Sequence, residues 1–431
     1  MKALSINTLN YSKILNFLFV LFAFIFPISI AGANILIIFM LIFWILEGNF
    51  KEKWEKLKEN KLFFILFGIF LSLIISALFS NNFKNAFFMN SHIHNVLFFY
   101  LKYFSLYLMF FIIFYTSLQK KFLEKVISAF LLGMLFSEIV SYSIFFNLID
   151  IDFFKKYGLI NKYSYPWDPS PFMNHSFYTI FLAVSILLIF DNIFRTKNRL
   201  IIFLSVLFLI SATVNLFLNG GRLGQLAFIL AFVIYSFFKL QKIKYFLLSI
   251  IGLIFIIILA YKFSPVFKQR VLIAQNNIEK VIKSQDFETS WGKRIGADII
   301  SYKILTNNPK YFLFGLGAGD AKKKYYEFAK HNYFNIYKQI KDLIHVHNQF
   351  FQLWIDAGLV VFILIILYFV YLFKMAPIPL TLGIIIVFVI GFLGDVLLYR
   401  AKTFLLFEFI SVILIYLSTY YETSNTGKDS A

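Results

Sequence analysis

Runs of about twenty apolar residues recur along the whole chain, separated by short polar turns. The runs are continuous. Strands of a membrane barrel would instead alternate with period two. They divide into about twelve predicted spans, near 15–30, 33–48, 62–80, 96–117, 122–147, 172–191, 199–219, 222–238, 244–263, 349–373, 376–398 and 402–421. Pro27 and Gly32 mark the turn between the first two. The pattern predicts an all-α polytopic membrane protein of about 12 transmembrane helices. Two polar stretches interrupt it, 148–171 and the longer 264–348. Three regions follow: 1–263 with nine spans, 264–348 as a large loop, and 349–431 with three spans and a tail.

The large loop has its own pattern. Ile295, Ile299, Ile300 and Leu305 recur at helical spacing among polar neighbours, predicting an amphipathic helix over 294–305. Asn307-Asn308-Pro309 stops it. Phe314-Gly315-Leu316-Gly317-Ala318-Gly319-Asp320 reads as a glycine-rich turn. Residues 321–341 read as a second polar helix, rich in Lys and Tyr. The chain then returns to apolar sequence at His347.

Composition sharpens the class. The chain is 60% hydrophobic, with a mean hydropathy of +0.77, far above soluble proteins. The net charge is +19, but it is scattered through short loops, which excludes a nucleic-acid groove and fits topology setting. Lys51, Lys53, Lys56, Lys58 and Lys61 follow span two. Lys120, Lys121 and Lys125 follow span four. Arg195, Lys197 and Arg199 follow span six, and Lys239, Lys242 and Lys244 follow span eight. The alternate turns are poorer in charge. Both termini are therefore expected in the cytoplasm, with the loops after spans three, five, seven, nine and eleven outside. The remaining charge is available to anionic lipid or phosphate. The first run lacks a small-residue cleavage site and reads as a retained helix. Cysteine is absent, so no thiolate site or disulfide exists.

Candidate chemistry gathers on the expected outer face. Asn219-Gly220-Gly221-Arg222-Leu223-Gly224 puts an arginine in a glycine turn between spans seven and eight, where its planar fork suits a diphosphate. A single snorkelling arginine is the plainer alternative. Ser290-Trp291-Gly292-Lys293-Arg294 opens the amphipathic helix and offers a cation beside helix N-terminal amides. His347-Asn348 opens span ten. An imidazole there is matched to general-base work on a hydroxyl, although an interfacial histidine can also be only a polar anchor. Asp356 lies too far along the same helix to touch His347. His345 is expected to point elsewhere, as a supporting or substrate-contacting group. Asp395 falls inside span eleven, where a carboxylate needs a partner, and Arg400 about a turn away is the natural one. Lys84 and Lys402 are further basic candidates, and Lys84 joins Asn348, His345, Arg400 and Asp395 as an expected substrate contact. All six histidines fall on the outer side, but no metal-ligand spacing is present, so neither metal nor other cofactor is expected. Trp167, Trp291 and Trp354 are the aromatic side chains best placed to meet sugar or lipid.

Taken in order, these motifs resemble the O-antigen ligase and polymerase superfamily. The matching pieces are Gly221-Arg222-Leu223-Gly224-Gln225-Leu226-Ala227, then residues 294–309 from Arg294, then Phe314-Gly315-Leu316-Gly317-Ala318-Gly319. The last is His347-Asn348-Gln349-Phe350-Phe351-Gln352-Leu353-Trp354-Ile355-Asp356-Ala357-Gly358-Leu359. The first motif departs from the family pattern in the neighbours of its arginine. The resemblance implies a GT-C-like membrane fold and an inverting, metal-independent glycosyltransferase in the bacterial inner membrane, its active face periplasmic. It implies His347 as the base, and Arg222 and Arg294 as the groups holding the diphosphate. The partners implied are an undecaprenyl-diphosphate-linked glycan donor, a lipid A–core acceptor and membrane lipids, with ligase favoured. A polymerase of the same superfamily and a protein O-oligosaccharyltransferase remain open. A transporter would carry its polar residues at the midplane in paired broken helices, a pattern not visible here.

Overall fold

The computed structural model describes residues 10–81 and 104–426. Over these residues the chain is an all-helical polytopic membrane protein, with one isolated bridge between Tyr165 and Asp168. The apolar helices are α1 (Tyr11–Ile25), α2 (Ile30–Glu47), then after the short basic α3 (Phe50–Lys58) come α4 (Lys61–Leu78), α5 (Ser105–Ser117) and α6 (Leu123–Phe145). After α7 (Ile151–Lys156) follow α8 (His175–Arg195), α9 (Arg199–Leu218), α10 (Arg222–Leu240) and α11 (Ile243–Phe263). Eight helices among the described residues are long and apolar enough to cross a bilayer, and four shorter apolar ones accompany them. Each predicted span has an apolar helix within its described residues; residues 96–103 of the fourth lie outside them. An 18-residue helix is about 27 Å long, close to the hydrocarbon thickness.

The polar segment folds into α12 (Pro265–Ser284), α13 (Ser290–Asn307), α14 (Pro309–Phe314), α15 (Ala321–Asn332) and α16 (Phe334–Ile340). The expected second helix over 321–341 is thus two, broken at Tyr333, whose backbone leaves the helical region (φ −140°, ψ 52°). Tenth to twelfth spans correspond to α17 (Gln349–Ala357) with α18 (Leu359–Met375), α19 (Pro379–Gly394), and α20 (Ala401–Thr426). Cap residues fix many boundaries: Asn60, Asn174, Asn198, Ser264, Thr289, Asn308 and Asn348 each accept an N–H of the turn they precede. Pro265, Pro309 and Pro379 occupy first-turn positions, where a missing N–H costs nothing.

Burial sorts the bundle. α20 and α8 are its most enclosed long helices, whereas α11 is almost wholly peripheral. α10 packs along both α19 and α8. The close approach of α10 to α8 is set by Gly221 and Gly224: a Cβ on Gly221 would lie 2.2 Å from Thr179 Oγ1, and one on Gly224 2.4 Å from the Thr179 backbone carbonyl carbon. Thr179 Oγ1 donates to Gly221 O (3.0 Å), fixing where Arg222 emerges.

Two expectations change here. The predicted span 349–373 is two helices, because Gly358 adopts φ +85° and a Cβ there would sit 2.2 Å from Leu313 O. α17 therefore leaves the line of α18 and packs its apolar face under α13 and beside α4 and α19. Asp395 is outside its span: α19 ends at Gly394, and Asp395 is extended (φ −162°, ψ 170°) ahead of a short turn of 3-10 helix, Leu397–Tyr399. Lys402, a basic candidate, is half-buried and ties three backbone carbonyls together, those of Pro27, Ile28 and Phe172. Gly358→Ala is expected to cost several kcal/mol, since it combines an unfavourable φ with a backbone clash. Size-exclusion chromatography of heated, detergent-solubilised protein would read this as a lowered melting midpoint; an unchanged midpoint would refute it.

Candidate functional site

The site begins with the way the chain enters α17. His347 has φ +55°, the left-handed region that non-glycine residues rarely occupy. That single residue turns the chain so that Asn348, extended, caps α17 by accepting the N–H groups of Phe350 (3.1 Å) and Phe351 (3.3 Å). Side chains of α17 then stitch it to the 395–399 segment. Gln349 Oε1 accepts Leu398 N–H (2.8 Å), and the Tyr399 hydroxyl donates to Asp356. Gln352 holds both Asp356 oxygens through Nε2 (3.0 and 3.1 Å) and accepts Val346 N–H through Oε1 (3.2 Å). Asp356 is thus an internal brace, as its separation from His347 in sequence requires.

This stitching delivers Asp395 to both histidines. His345 Nε2 lies 3.2 Å and His347 Nδ1 3.3 Å from the same oxygen, Asp395 Oδ1, which also accepts Val396 N–H (2.8 Å). Their rings lie side by side, centroids 4.2 Å apart. Burial alone would raise the Asp395 carboxyl, but its hydrogen bonds to His345 and His347 outweigh it and hold the group far below the ordinary range. Asp395 is therefore an anion that only accepts, so each facing ring nitrogen carries its proton. His345 Nδ1 and His347 Nε2 are left as the lone-pair nitrogens. His345 is lowered by burial and stays neutral, the Asp395 hydrogen bond working the other way. The side chain of His345 is 6% exposed and that of His347 23%. His347 is thus the more accessible of the two rings.

Two expectations are corrected by this cluster. Asp395 pairs with the two histidines rather than with Arg400, which is exposed, lies over the Phe177 ring at 5.9 Å, and acts on His345 only through space. His345 does not point elsewhere, because the left-handed turn at His347 brings the alternate residues onto one carboxylate. His345, His347 and Asp395 also form a donor set within 4.8 Å, a spacing and chemistry that suit a divalent transition ion as well as a base.

Beside this cluster is a cavity of about 550 Å³. Arg222, Arg270, Trp291, Arg294, Asp298 and Gly394 line its polar part; Leu226, Ile229, Val271, Ile278, Ile390 and Leu393 contribute its apolar wall. Gly394 on its wall is the residue before Asp395. Arg222 Nη2 donates to Ser290 Oγ (3.1 Å), while its Nη1 is buried without a partner. None of the three arginines forms an ion pair among the described residues. Three guanidinium groups gathered around one cavity without an ion pair repel one another and favour an anion there. Asp298 stands between them and Asn348. Burial pushes its carboxyl up to about 7, while the Asn348 side chain and then Arg294 act to lower it.

Arg222, Arg294, His345, His347, Asn348 and Asp395 are therefore brought together, with Arg400 at the margin. Lys84 lies outside the described residues. Sequence reasoning missed Arg270 and Asp298. The signal for Arg270 was Ser264-Pro265, a cap followed by a first-turn proline that announces α12. Asp298 was visible as the residue one helical turn after Arg294.

Residues 205–366 match the protein family described as O-antigen ligase, which bears out the resemblance carried by the motif order. That stretch holds the three arginines, Asp298 and both histidines; Asp395 and Arg400 lie beyond it. No match is found among curated proteins. The difference in exposure yields a test within the site. Diethyl pyrocarbonate is expected to modify His347 ahead of His345, read by peptide mass spectrometry; equal rates would contradict the arrangement.

Proposed function

We propose that this O-antigen ligase family chain is a glycosyltransferase that moves a glycan from undecaprenyl diphosphate to a hydroxyl of the lipid A–core oligosaccharide. The observation that carries the reading is the junction of three arginines without anionic partners and a histidine whose protonation is set by a buried carboxylate. A diphosphate supplies the missing negative charge, and guanidinium groups stay cationic at any working pH.

The reaction then assigns itself to atoms. The acceptor hydroxyl loses its proton to His347 Nε2 as its oxygen bonds to the anomeric carbon. The bond from that carbon to the diphosphate oxygen breaks, and the electron pair leaves with the diphosphate. Arg222, Arg270 and Arg294 stabilise that growing charge, the part a divalent ion plays elsewhere. Attack opposite the leaving group inverts the anomeric centre. Asp395 orients the His347 ring and stabilises the imidazolium that forms. His345 keeps Asp395 in place, Asn348 fixes the turn, and the apolar wall of the cavity receives the lipid. Arg400 is proposed as a further substrate contact, as is Lys84, which lies outside the described residues.

Sidedness follows the charge. The site is at the end where α10 begins and α19 finishes, while Lys53, Arg195 and Lys239 are at the other ends of their helices or beyond. The proposal sets the site at the periplasmic face of the inner membrane, with both termini cytoplasmic.

With purified protein, lipid-linked glycan and core acceptor, His347→Ala is expected to abolish transfer. Arg222→Ala, Arg270→Ala and Arg294→Ala should each cost on the order of a hundredfold, comparable to removing one preorganised charge-stabilising group. Near wild-type transfer by folded His347→Ala protein would sink the base assignment. Transfer is expected to survive EDTA. Loss that a divalent ion restores would recast His345, His347 and Asp395 as ligands. A polymerase would use the same site on a carrier-linked acceptor. In a deletion strain, the ligase predicts a bare core with lipid-linked polymer accumulating, whereas a core bearing one repeat unit would identify the polymerase.

A further inference from the structure

We infer that Asp298 is a substrate-binding residue that holds hydroxyl groups of the sugar directly joined to the donor diphosphate. The inference rests on the transfer reading above and deepens it. Ser290, Arg294 and Asp298 recur every four residues on α13 and so share one face. Ser290 is bonded to Arg222, Arg294 lines the arginine cavity, and Asp298 lies one turn further on. The Asn348 side chain stands beside the Asp298 carboxyl, and Asn348 adjoins His347. Asp298 therefore occupies the interval between the diphosphate-binding arginines and the base. In a displacement at the anomeric carbon, that interval belongs to the donor's first sugar.

The chemistry of the group selects its ligand. Asp298 lines the cavity and makes no ion pair among the described residues; its Oδ1 is buried without a hydrogen-bond partner. A buried acceptor left unpaired is costly, and a ligand donor offsets that cost when it binds. A carboxylate repels phosphate oxygens, so its complement is a neutral donor group. Vicinal sugar hydroxyls supply two O–H donors at a spacing that one carboxylate accepts. A site built to bond hydroxyls also rejects ligands that lack them.

The test compares two lipids on full-length protein in nanodiscs: undecaprenyl diphosphate carrying one N-acetylhexosamine, and bare undecaprenyl diphosphate. Asp298→Leu is expected to weaken binding of the sugar-bearing lipid about tenfold or more, the loss of a charged hydrogen-bond acceptor, and to leave the bare lipid unchanged. Asp298→Asn should lose less, since its amide oxygen still accepts one hydroxyl. Retained binding of the bare lipid shows that each variant is folded; if Asp298→Leu loses it, Asp298→Asn decides. Equal effects on both lipids, or none on either, would overturn the inference while the transfer reading stands. Failure of the wild-type protein to bind either lipid would overturn the transfer reading, and this inference with it.

Discussion

One carboxylate oxygen, Asp395 Oδ1, organises the site. It accepts from His345, His347 and Val396 at 3.2, 3.3 and 2.8 Å. A buried anion carries a desolvation penalty that only several well-placed donors offset. Its position is therefore not left to one contact. α19 stops at Gly394 so that Asp395 can extend, the 3-10 turn after it is bonded to Gln349 and Asp356, and Gln352 ties the same helix back to Val346 between the histidines. Each link places the carboxylate relative to the two rings. The left-handed backbone at His347 is the local strain this network sustains.

The arginine cavity obeys the opposite rule. There the charges are gathered and left without partners, and Arg222 Nη1 is buried with no acceptor. An anion entering such a place meets preorganised donors and needs little rearrangement around it. Asp298 is the acidic group on the cavity wall, and Asp395 lies apart from it with the histidines. In the proposed reading, Asp298 on the cavity wall and Asn348 beside it link the arginines to His347.

Much of the fold was legible because lipid imposes a simple code: a helix must be long and apolar, and its ends must be capped or charged. What the code does not read is the third dimension of a break. The apolar run over 349–373 gives no sign that Gly358 is left-handed, because the reason is Leu313 O, a contact from a distant helix. The same limit misled the reading of Asp395. Arg400 is the nearest cation along the chain, so helical spacing nominated it. The partners came instead from about fifty residues earlier, once α17 folded back. Arg222, Arg294 and His347 were legible because each sits at a glycine turn or a helix start, where local chemistry signals a ligand.

The two ends of the bundle show why the net charge of +19 was only half interpreted by topology. At the end away from the site, basic side chains are bound into the protein. Lys239 and Arg195 both pair with Asp191 at 2.9 Å, Lys53 pairs with Glu47 at 2.8 Å, and Lys56 donates to Tyr416 and to the Thr116 carbonyl. Those residues obey the positive-inside bias and at the same time lock helix ends together. At the site end, Arg222, Arg270 and Arg294 have no such partners. The same residue type therefore has two physical meanings in one chain, and burial does not separate them. The missing counter-charge does. Where an ion pair closes within the protein, the cation serves the fold; where none closes around a cavity, the cation is available to a ligand that brings its own charge.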